Sequence, residues 1–194
     1  MAHSPGFALA LTLAPPGASD TILDVGCGGG VFLRDALRSG CTAAGIDHSP
    51  DMLRTAAGVN AAAVRDGRLT LVEGDAAALP FETGSCDRVF CLNAFFFFPE
   101  PARAIAEMAR VTRTGGSVAI LTTPKTWAGD ANWIVRPLVS RMNCHEPETL
   151  SAWATESGLR TVRIEPVPKC GYLQIFEKAD PAASFDGSNG AFRA

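Results

Sequence analysis

The chain has 194 residues, of which 47% are hydrophobic and 19% are charged, and its formal net charge at pH 7 is -3. This composition excludes a disordered protein, and the negative charge argues against a protein that grips nucleic acid by its phosphates. No apolar run is long enough to span a bilayer, so we expect no membrane insertion. We expect one domain over residues 1–178 and a flexible tail over residues 179–194, which are small and polar without a period.

The six cysteines are scattered along the chain, with no C-x-x-C pair and no histidine at zinc-ligand spacing. They predict small buried residues in a reducing compartment and no metal site. Residues 7–14 are apolar like the centre of a signal peptide, but no Lys or Arg precedes them. We therefore interpret this stretch as a short helix packed before the first strand, and we expect a cytoplasmic protein.

The most informative stretch runs from Thr21 to Leu33. A short aliphatic run containing Asp24 leads into glycines at positions 26, 28 and 30, and an amphipathic pattern follows them. This order predicts a strand, a tight turn and a helix start, which together are typical of a nucleotide site. The turn glycines let backbone N–H groups approach a ligand closely, and the helix N-terminus adds a partial positive charge.

The spacing of these glycines discriminates between ligands. The dinucleotide fingerprint G-x-G-x-x-G needs a third glycine where this chain has Val31, and the spacing G-x-G-x-G favours a ligand without a pyrophosphate. Asp24 would repel a phosphate, whereas it can face an amino group. Cys27 is expected to be a small turn residue rather than a nucleophile, because nothing nearby marks its thiol as activated.

A second acid follows the predicted second strand, which covers residues 41–46. Asp47 lies about 20 residues beyond the glycine turn, the offset at which an acid accepts hydrogen bonds from ribose hydroxyls. Ser49 and Pro50 predict a helix start directly after it. We expect His48 beside an adenine and Met52 near the same purine.

Two segments resemble a known enzyme family. The run D-V-G-C-G-G-G resembles the first motif of class I S-adenosylmethionine-dependent methyltransferases, an acid followed by G-x-G-x-G. The run D-H-S-P-D-M-L, residues 47–53, resembles the acid-x-S-P-x-M-L segment of the type 11 small-molecule group, which includes the quinone-biosynthesis enzymes. The resemblance covers residues 20–125 well, although Thr114 stands where the family's R-V-L-K-P-G-G has proline.

The third strand is predicted over residues 68–72, and Gly74, Asp75 and Ala76 follow it. An acid at this edge of the sheet is placed to accept a hydrogen bond from an adenine amino group. In the resembled family the matching acid has that role. Together, these patterns and the resemblance predict the cofactor-binding residues Asp24, Gly26, Cys27, Gly28, Asp47, His48, Met52, Gly74, Asp75, Ala76 and Asn93.

The predicted fourth strand, residues 86–92, is followed by Asn93 and four phenylalanines at positions 95–98. Class I methyltransferases keep the groups that approach the methyl at this point, so Asn93 is a catalytic candidate, although asparagine is also a common turn former. Four consecutive aromatic side chains cannot all face inward, and one or two are expected to line an apolar acceptor pocket. His145 is the other catalytic candidate, in a connection that would cover this pocket.

The remaining pattern completes an α/β chain. It predicts a helix over residues 99–112, a turn at Gly115 and Gly116, a fifth strand over 117–122, a further helix from Glu146 to Gly158, and a final hairpin of residues 160–164 and 171–176. The expected fold is Rossmann-like and doubly wound, with a mostly parallel seven-stranded sheet, helices on both faces and a C-terminal antiparallel hairpin.

The predicted function is transfer of a methyl group from S-adenosylmethionine to a small apolar or aromatic acceptor. Metal assistance is not expected, because the fifth strand ends in Thr-Thr-Pro without an acid. Two alternatives stay open at this point: a nicotinamide-dependent reductase, opposed by Val31, and a binding module that holds the cofactor without turnover. A homodimer is a further expectation.

Overall fold

The structure is a computed structural model that describes residues 5–124, 142–168 and 170–180. The strands are β1 (Thr21–Val25), β2 (Thr42–Asp47), β3 (Leu69–Glu73), β4 (Cys86–Leu92), β5 (Thr112–Thr122), β6 (Leu159–Val167) and β7 (Gly171–Lys178). The helices are α1 (Pro5–Leu13), α2 (Val31–Ala36), α3 (Pro50–Val59), α4 (Ala61–Arg65), α5 (Pro101–Val111) and α6 (Pro147–Glu156). Two short 3-10 turns occupy Leu37–Ser39 and Phe95–Phe97.

All seven strands form one sheet in the order β3-β2-β1-β4-β5-β7-β6. The first five strands are parallel, whereas β7 is antiparallel to both of its neighbours, β5 and β6. The strand order reverses between β1 and β4, and a crevice is expected at the carboxyl ends of strands at such a point. The predicted fold class is confirmed, including the C-terminal hairpin of β6 and β7.

Helices cover both faces of the sheet. In β1, Leu23 and Val25 belong to a core with Ile105 of α5 and Leu150 of α6, and all of these side chains are fully buried. Ile22, which points to the other face, packs in a second core with α1 and α2. A parallel strand buried on both faces explains why the sequence of β1 is apolar without alternation.

The structure differs from the sequence prediction at two elements. The helix predicted to start after Asp47 is followed at once by a second one, and the buried Asn60 side chain at their junction donates to the carbonyls of Gly30 (2.9 Å) and Ala56 (2.9 Å). The fifth strand begins at Thr112 rather than residue 117. Thr112 already pairs with Cys86, and residues 113–116 bulge out before regular pairing resumes.

The N-terminal stretch forms the short helix that the sequence predicts. Gly6 of α1 lies against Leu121 of β5, so closely that a Cβ at this position would overlap the leucine side chain. Among the described residues, no helix combines the length and the apolar character needed to cross a bilayer. The predicted tail lies outside the described residues from position 181 onward, and so do residues 125–141 of the connection expected to cover an acceptor pocket.

Candidate cofactor site

Three carboxylates lie at the same edge of the sheet. Asp24 is the next-to-last residue of β1, Asp47 is the last residue of β2, and Asp75 follows β3 by two residues. Because β1, β2 and β3 are parallel, their carboxyl ends meet at one edge. The three acids therefore lie at neighbouring strand ends, as the sequence predicts.

The glycine turn after β1 is fastened to the end of β2. The carbonyl of Ile46 accepts hydrogen bonds from the N–H groups of Gly26 (2.8 Å) and Cys27 (3.0 Å). The N–H of Gly28 donates to Oδ2 of Asp47 at 2.8 Å, and the N–H of Ser49 donates to Oδ1 at 3.0 Å. Asp47 therefore fixes the shape of the turn in addition to any ligand contact.

Gly26 and Gly28 are required for different reasons. Both have a positive φ, 74° and 49° respectively. A Cβ at Gly26 would overlap the Cβ of Ala94, which lies in the turn after β4, whereas a Cβ at Gly28 would meet no atom within 4 Å. The first glycine allows two loops to touch, and the second leaves open space beside the turn.

Two cavities lie along this edge of the sheet and share Gly26 in their walls. The first has a volume of about 530 Å³ and is lined by the ends of β2 and β3 and by the chain after β4. The second has a volume of about 250 Å³ and lies at the glycine turn, against α1 and the end of β4. Predicted site residues in the first are Gly26, Asp47, His48, Gly74, Asp75 and Ala76, and those in the second are Asp24, Gly26, Cys27, Gly28 and Asn93.

Asp24 lines the second cavity with only 2% of its surface exposed. Within residues 5–124, 142–168 and 170–180, no hydrogen-bond donor or cation reaches its carboxylate. Burial, and secondarily the charge of Asp47, raise its pKa to about 8. An ammonium group in this cavity would give the carboxylate the counter-charge that the described chain does not supply.

The first cavity presents more accessible polar groups. Asp47 is 8% exposed, and its Oδ1 lies 3.6 Å from Nδ1 of His48, whose side chain is 89% exposed. Asp75 is exposed, and its Oδ1 accepts a hydrogen bond from the N–H of Ala77 at 2.9 Å. Each carboxylate keeps lone pairs for a ligand, since these backbone contacts occupy at most one site on each oxygen.

Residues 23–120 match the methyltransferase domain family. The chain belongs to this family. It is 35% identical over 126 residues to an uncharacterized chloroplastic methyltransferase of Arabidopsis thaliana, covering 62% of this chain and 36% of that relative. It is 31% identical over 156 residues to the ubiquinone biosynthesis O-methyltransferase of Xanthomonas oryzae pv. oryzae, covering 74% of this chain and 64% of that relative.

The fold is shared with a solved geranyl diphosphate methyltransferase in complex with S-adenosylmethionine. The TM-score is 0.75 at 16% identity, over 91% of this chain and 85% of the other. This methyltransferase domain spans less than two thirds of the length of the two relatives from Arabidopsis and Xanthomonas. These comparisons support neither a nicotinamide-dependent reductase nor a silent binding module.

S-adenosylmethionine is the cofactor of this methyltransferase domain. The described residues fit its parts: the buried, unpaired carboxylate of Asp24 suits the amino group of the methionine portion, and the open surface at Gly28 admits that portion to the turn. The larger cavity beside Asp47 and Asp75 suits the adenosine portion. No phosphate-binding contact is required by this arrangement.

Two polar residues of the second cavity have distinct chemistry. Burial, followed by the charges of Asp24 and Asp47, raises the pKa of the Cys27 thiol, so the thiol stays protonated and is a poor nucleophile. Asn93 has a φ of 60°, the one positive value among the described non-glycine residues, and its N–H donates to the carbonyl of Leu121 at 3.0 Å. Asparagine tolerates this conformation, which turns the chain from β4 into the cavity wall.

Two predicted site residues lie elsewhere. Met52 is 46% exposed in the first turn of α3 and lines neither cavity; its N–H donates to Oγ of Ser49 at 3.4 Å. His145 also lines neither cavity. Its ring packs edge-on against Phe95 and Trp153, with ring centroids 6.3 and 5.0 Å apart, and its carbonyl accepts from the hydroxyl of Tyr172 at 2.7 Å.

The cavities also contain residues that the sequence pattern did not single out. Phe7 of α1 lines the second cavity. No local sequence pattern connects this residue to the glycine turn, because β1 lies between them. Phe97 and Phe98 line the first cavity with Asp47 and Asp75, and Phe97 is 53% exposed. The run of four phenylalanines predicted a pocket, but Phe97 and the partly buried Phe98 lie in the wall shared with the predicted adenosine residues.

Proposed function

We propose that this methyltransferase domain transfers the methyl group of S-adenosylmethionine to a small apolar or aromatic acceptor. The observation that carries the proposal is the pair of cavities that meet at Gly26, one beside Asp47 and Asp75 and the other beside Asp24. A cofactor with separate adenosine and amino acid portions matches this division of polar groups. The acceptor then has to approach the methyl group from the side that neither the adenosine portion nor the amino acid portion of the cofactor covers.

In this proposal, each carboxylate binds one part of the cofactor. Asp47 accepts from the ribose hydroxyls, Asp75 accepts from the adenine amino group, and Asp24 pairs with the ammonium group. When bound, the cofactor supplies a methyl group on a sulfonium, which is already a good leaving group. The chain therefore contributes alignment and exclusion of water, and a general base is required only for acceptors that do not arrive ionised.

Asn93 is our candidate for a residue that positions the acceptor. It follows β4 and lines the second cavity, as Asp24 does, and its backbone conformation is held by the hydrogen bond to Leu121. Its side chain carries both a donor and an acceptor, so it can orient an acceptor hydroxyl or amine without removing a proton. His145, which lines neither cavity, is the less favoured of the two predicted catalytic residues.

The apolar walls suit the flat adenine ring, and any part of them that the cofactor leaves uncovered would suit an apolar or aromatic acceptor. Phe97, Phe98 and Pro99 border the first cavity, and Phe7 and Phe32 border the second. Aromatic side chains bind ring-shaped ligands through stacked or edge-on contacts. The Xanthomonas relative is named for ubiquinone biosynthesis, which also favours an aromatic acceptor.

Thermal-shift measurements with S-adenosylhomocysteine and with NAD(H) test this proposal. We expect stabilisation by the first ligand, none by the second, and loss of the effect in Asp47→Ala. Asp66→Ala, at the exposed end of α4, is the matched control and should respond like the wild type. A methyl-transfer screen over small phenols and apolar acceptors should then give turnover; preferential stabilisation by NAD(H) would overturn the proposal, and binding without any transfer would favour the silent module.

The proposal also covers the location of the protein in the cell and its oligomeric state. Five of the six cysteines are buried, which suits a reducing compartment, and we propose the cytoplasm. We also propose a homodimer, which sedimentation velocity would distinguish from a monomer by its mass.

A further inference from the structure

The loop that follows β3, residues 74–83, forms one wall of the first cavity. Gly74, Asp75 and Ala76 line the cavity directly. Asp75 holds its own turn through the N–H of Ala77, but this local contact does not fix the loop against the rest of the domain. The loop therefore needs an anchor further along the chain.

That anchor is an ion pair on α5. Arg110 donates from Nε to Oε1 of Glu107 at 2.7 Å and from Nη2 to Oε2 at 2.8 Å, so the two side chains form a two-pronged pair one helical turn apart. Such a fork fixes the plane of the guanidinium group. The hydrogen bond from Arg110 is the main cause that holds the pKa of Glu107 below its usual value, so the pair stays ionised at neutral pH.

The remaining donors and acceptors of this pair hold the loop. Nη2 of Arg110 donates to the carbonyl of Leu79 at 2.9 Å, and Nη1 donates to the carbonyl of Phe81 at 2.8 Å. Oε2 of Glu107 accepts from the N–H of Leu79 at 2.8 Å. Leu79, whose side chain is buried, is thus held at both its N–H and its carbonyl.

We infer that Glu107 and Arg110 are positioning residues for the cofactor site: by clamping Leu79 and Phe81 they hold Asp75 and Ala76 in the cavity wall and thereby set the affinity for the adenosine portion. This inference rests on the proposed function of the cavity. Neither side chain lines the cavity, so both act through the loop.

The same helix offers a matched control. Glu100 and Arg103 have the same spacing of three residues, with Nη1 of Arg103 3.5 Å from Oε2 of Glu100, and their side chains are 55% and 61% exposed. Within the described parts of the chain, neither side chain hydrogen-bonds to the loop. Removing the Arg103 charge therefore changes the surface of α5 without releasing Leu79.

The experiment combines amide hydrogen exchange of the ligand-free protein with calorimetric binding of S-adenosylhomocysteine, in wild type, Arg110→Lys, Glu107→Gln and Arg103→Gln. Lysine keeps the charge but lacks the planar fork that binds Glu107 and the carbonyls of Leu79 and Phe81 together. We expect exchange in residues 75–81 to accelerate, and the Kd to rise, each by about tenfold in the first two variants. Arg103→Gln should leave both within about twofold of wild type.

Amides of β1 and β4 serve as the internal reference, and Glu107→Gln keeps the test open if Arg110→Lys fails to fold. Acceleration confined to the loop together with weaker binding supports the inference. Equal acceleration in β4 would mean a purely structural role, and unchanged loop exchange or unchanged affinity would also overturn it. If wild type itself does not bind the nucleoside, the proposed function fails, which is distinct from failure of the clamp.

Discussion

Asp24 and Asp47 lie at the ends of adjacent strands and are almost equally buried, at 2% and 8% exposure, yet their surroundings differ completely. Asp47 accepts hydrogen bonds from two backbone N–H groups, those of Gly28 and Ser49. Asp24 receives none from the described residues, and burial raises its pKa to about 8. At similar burial, one carboxyl group organises the turn and the other stays largely protonated at neutral pH.

This difference indicates how the carboxyl group of each cavity would contribute to ligand binding. Each carboxylate oxygen of Asp47 accepts one backbone N–H and keeps a lone pair that can accept a hydrogen bond from a hydroxyl. The ionised form of Asp24 becomes favourable when a cation enters the second cavity. We therefore expect the methionine side to contribute affinity that depends strongly on pH through Asp24.

The largest expected effect is at Gly26, where the two cavities meet. In Gly26→Ala the added Cβ would overlap Ala94 at a positive φ, and we expect a loss of about 3 kcal/mol in the free energy of unfolding. Gly28→Ala, with open space around its Cβ, should lose about 1 kcal/mol. Urea unfolding of both variants checks this, and equal losses would contradict the assigned contact between the turn and Ala94.

The second effect concerns Asp47. Asp47→Ala removes the acceptor of the Gly28 N–H and the proposed ribose contact, so we expect binding of S-adenosylhomocysteine to weaken by about 2 kcal/mol, roughly 30-fold in Kd. Isothermal calorimetry measures this change. Asp47→Asn, which keeps one oxygen as an acceptor, should lose less; unchanged affinity in the alanine variant would rule out the ribose role.

The third effect is the pH dependence of binding through Asp24. Its pKa in the ligand-free protein is about 8, and an ammonium group in the cavity would lower it, so the complex holds fewer protons than the free protein. Affinity should therefore rise by up to about tenfold per pH unit as the pH approaches 8 from below, with a proton released on binding.

Calorimetry in buffers of different ionisation enthalpy measures that proton directly. Asp24→Asn should abolish both the proton release and the rise in affinity, and its Kd at pH 8 should be about tenfold weaker than that of wild type. Asp66→Asn is the control, since Asp66 lies at the exposed end of α4 and lines neither cavity, so this variant should keep the proton release. A wild type that binds without releasing a proton would contradict the proposed pairing of Asp24 with an ammonium group.

The last prediction concerns the stability of the ligand-free protein and its dependence on pH. Because the folded-state pKa of Asp24 is raised from 3.8 to about 8, the folded state binds its proton more tightly than the unfolded state. The stabilisation is therefore present at low pH and is lost as the pH rises from about 4 to about 8. Thermal unfolding should show a smaller decline over this window in Asp24→Asn, and parallel curves would contradict it.

Features that depend on near neighbours in the chain were predictable from the sequence. The strand, glycine turn and helix at residues 21–33 follow from local composition, and so do the N-cap at Ser49 and the position of Asp47 at the end of β2. The fold class follows as well, since alternating strands and helices with right-handed connections leave few topologies. Membership of the methyltransferase domain family agrees with that part of the prediction.

The tertiary structure decided what depends on residues far apart in sequence. Asn60, at the junction of α3 and α4, donates to the carbonyl of Gly30, Phe7 enters the second cavity because α1 packs across the sheet, and the clamp on Leu79 comes from α5. The same holds for Asp24, whose identity is read from the sequence but whose burial and raised pKa arise only when β1 is enclosed by its neighbours. Local patterns select residue types and backbone shape, whereas desolvation and long-range hydrogen bonds set their chemistry.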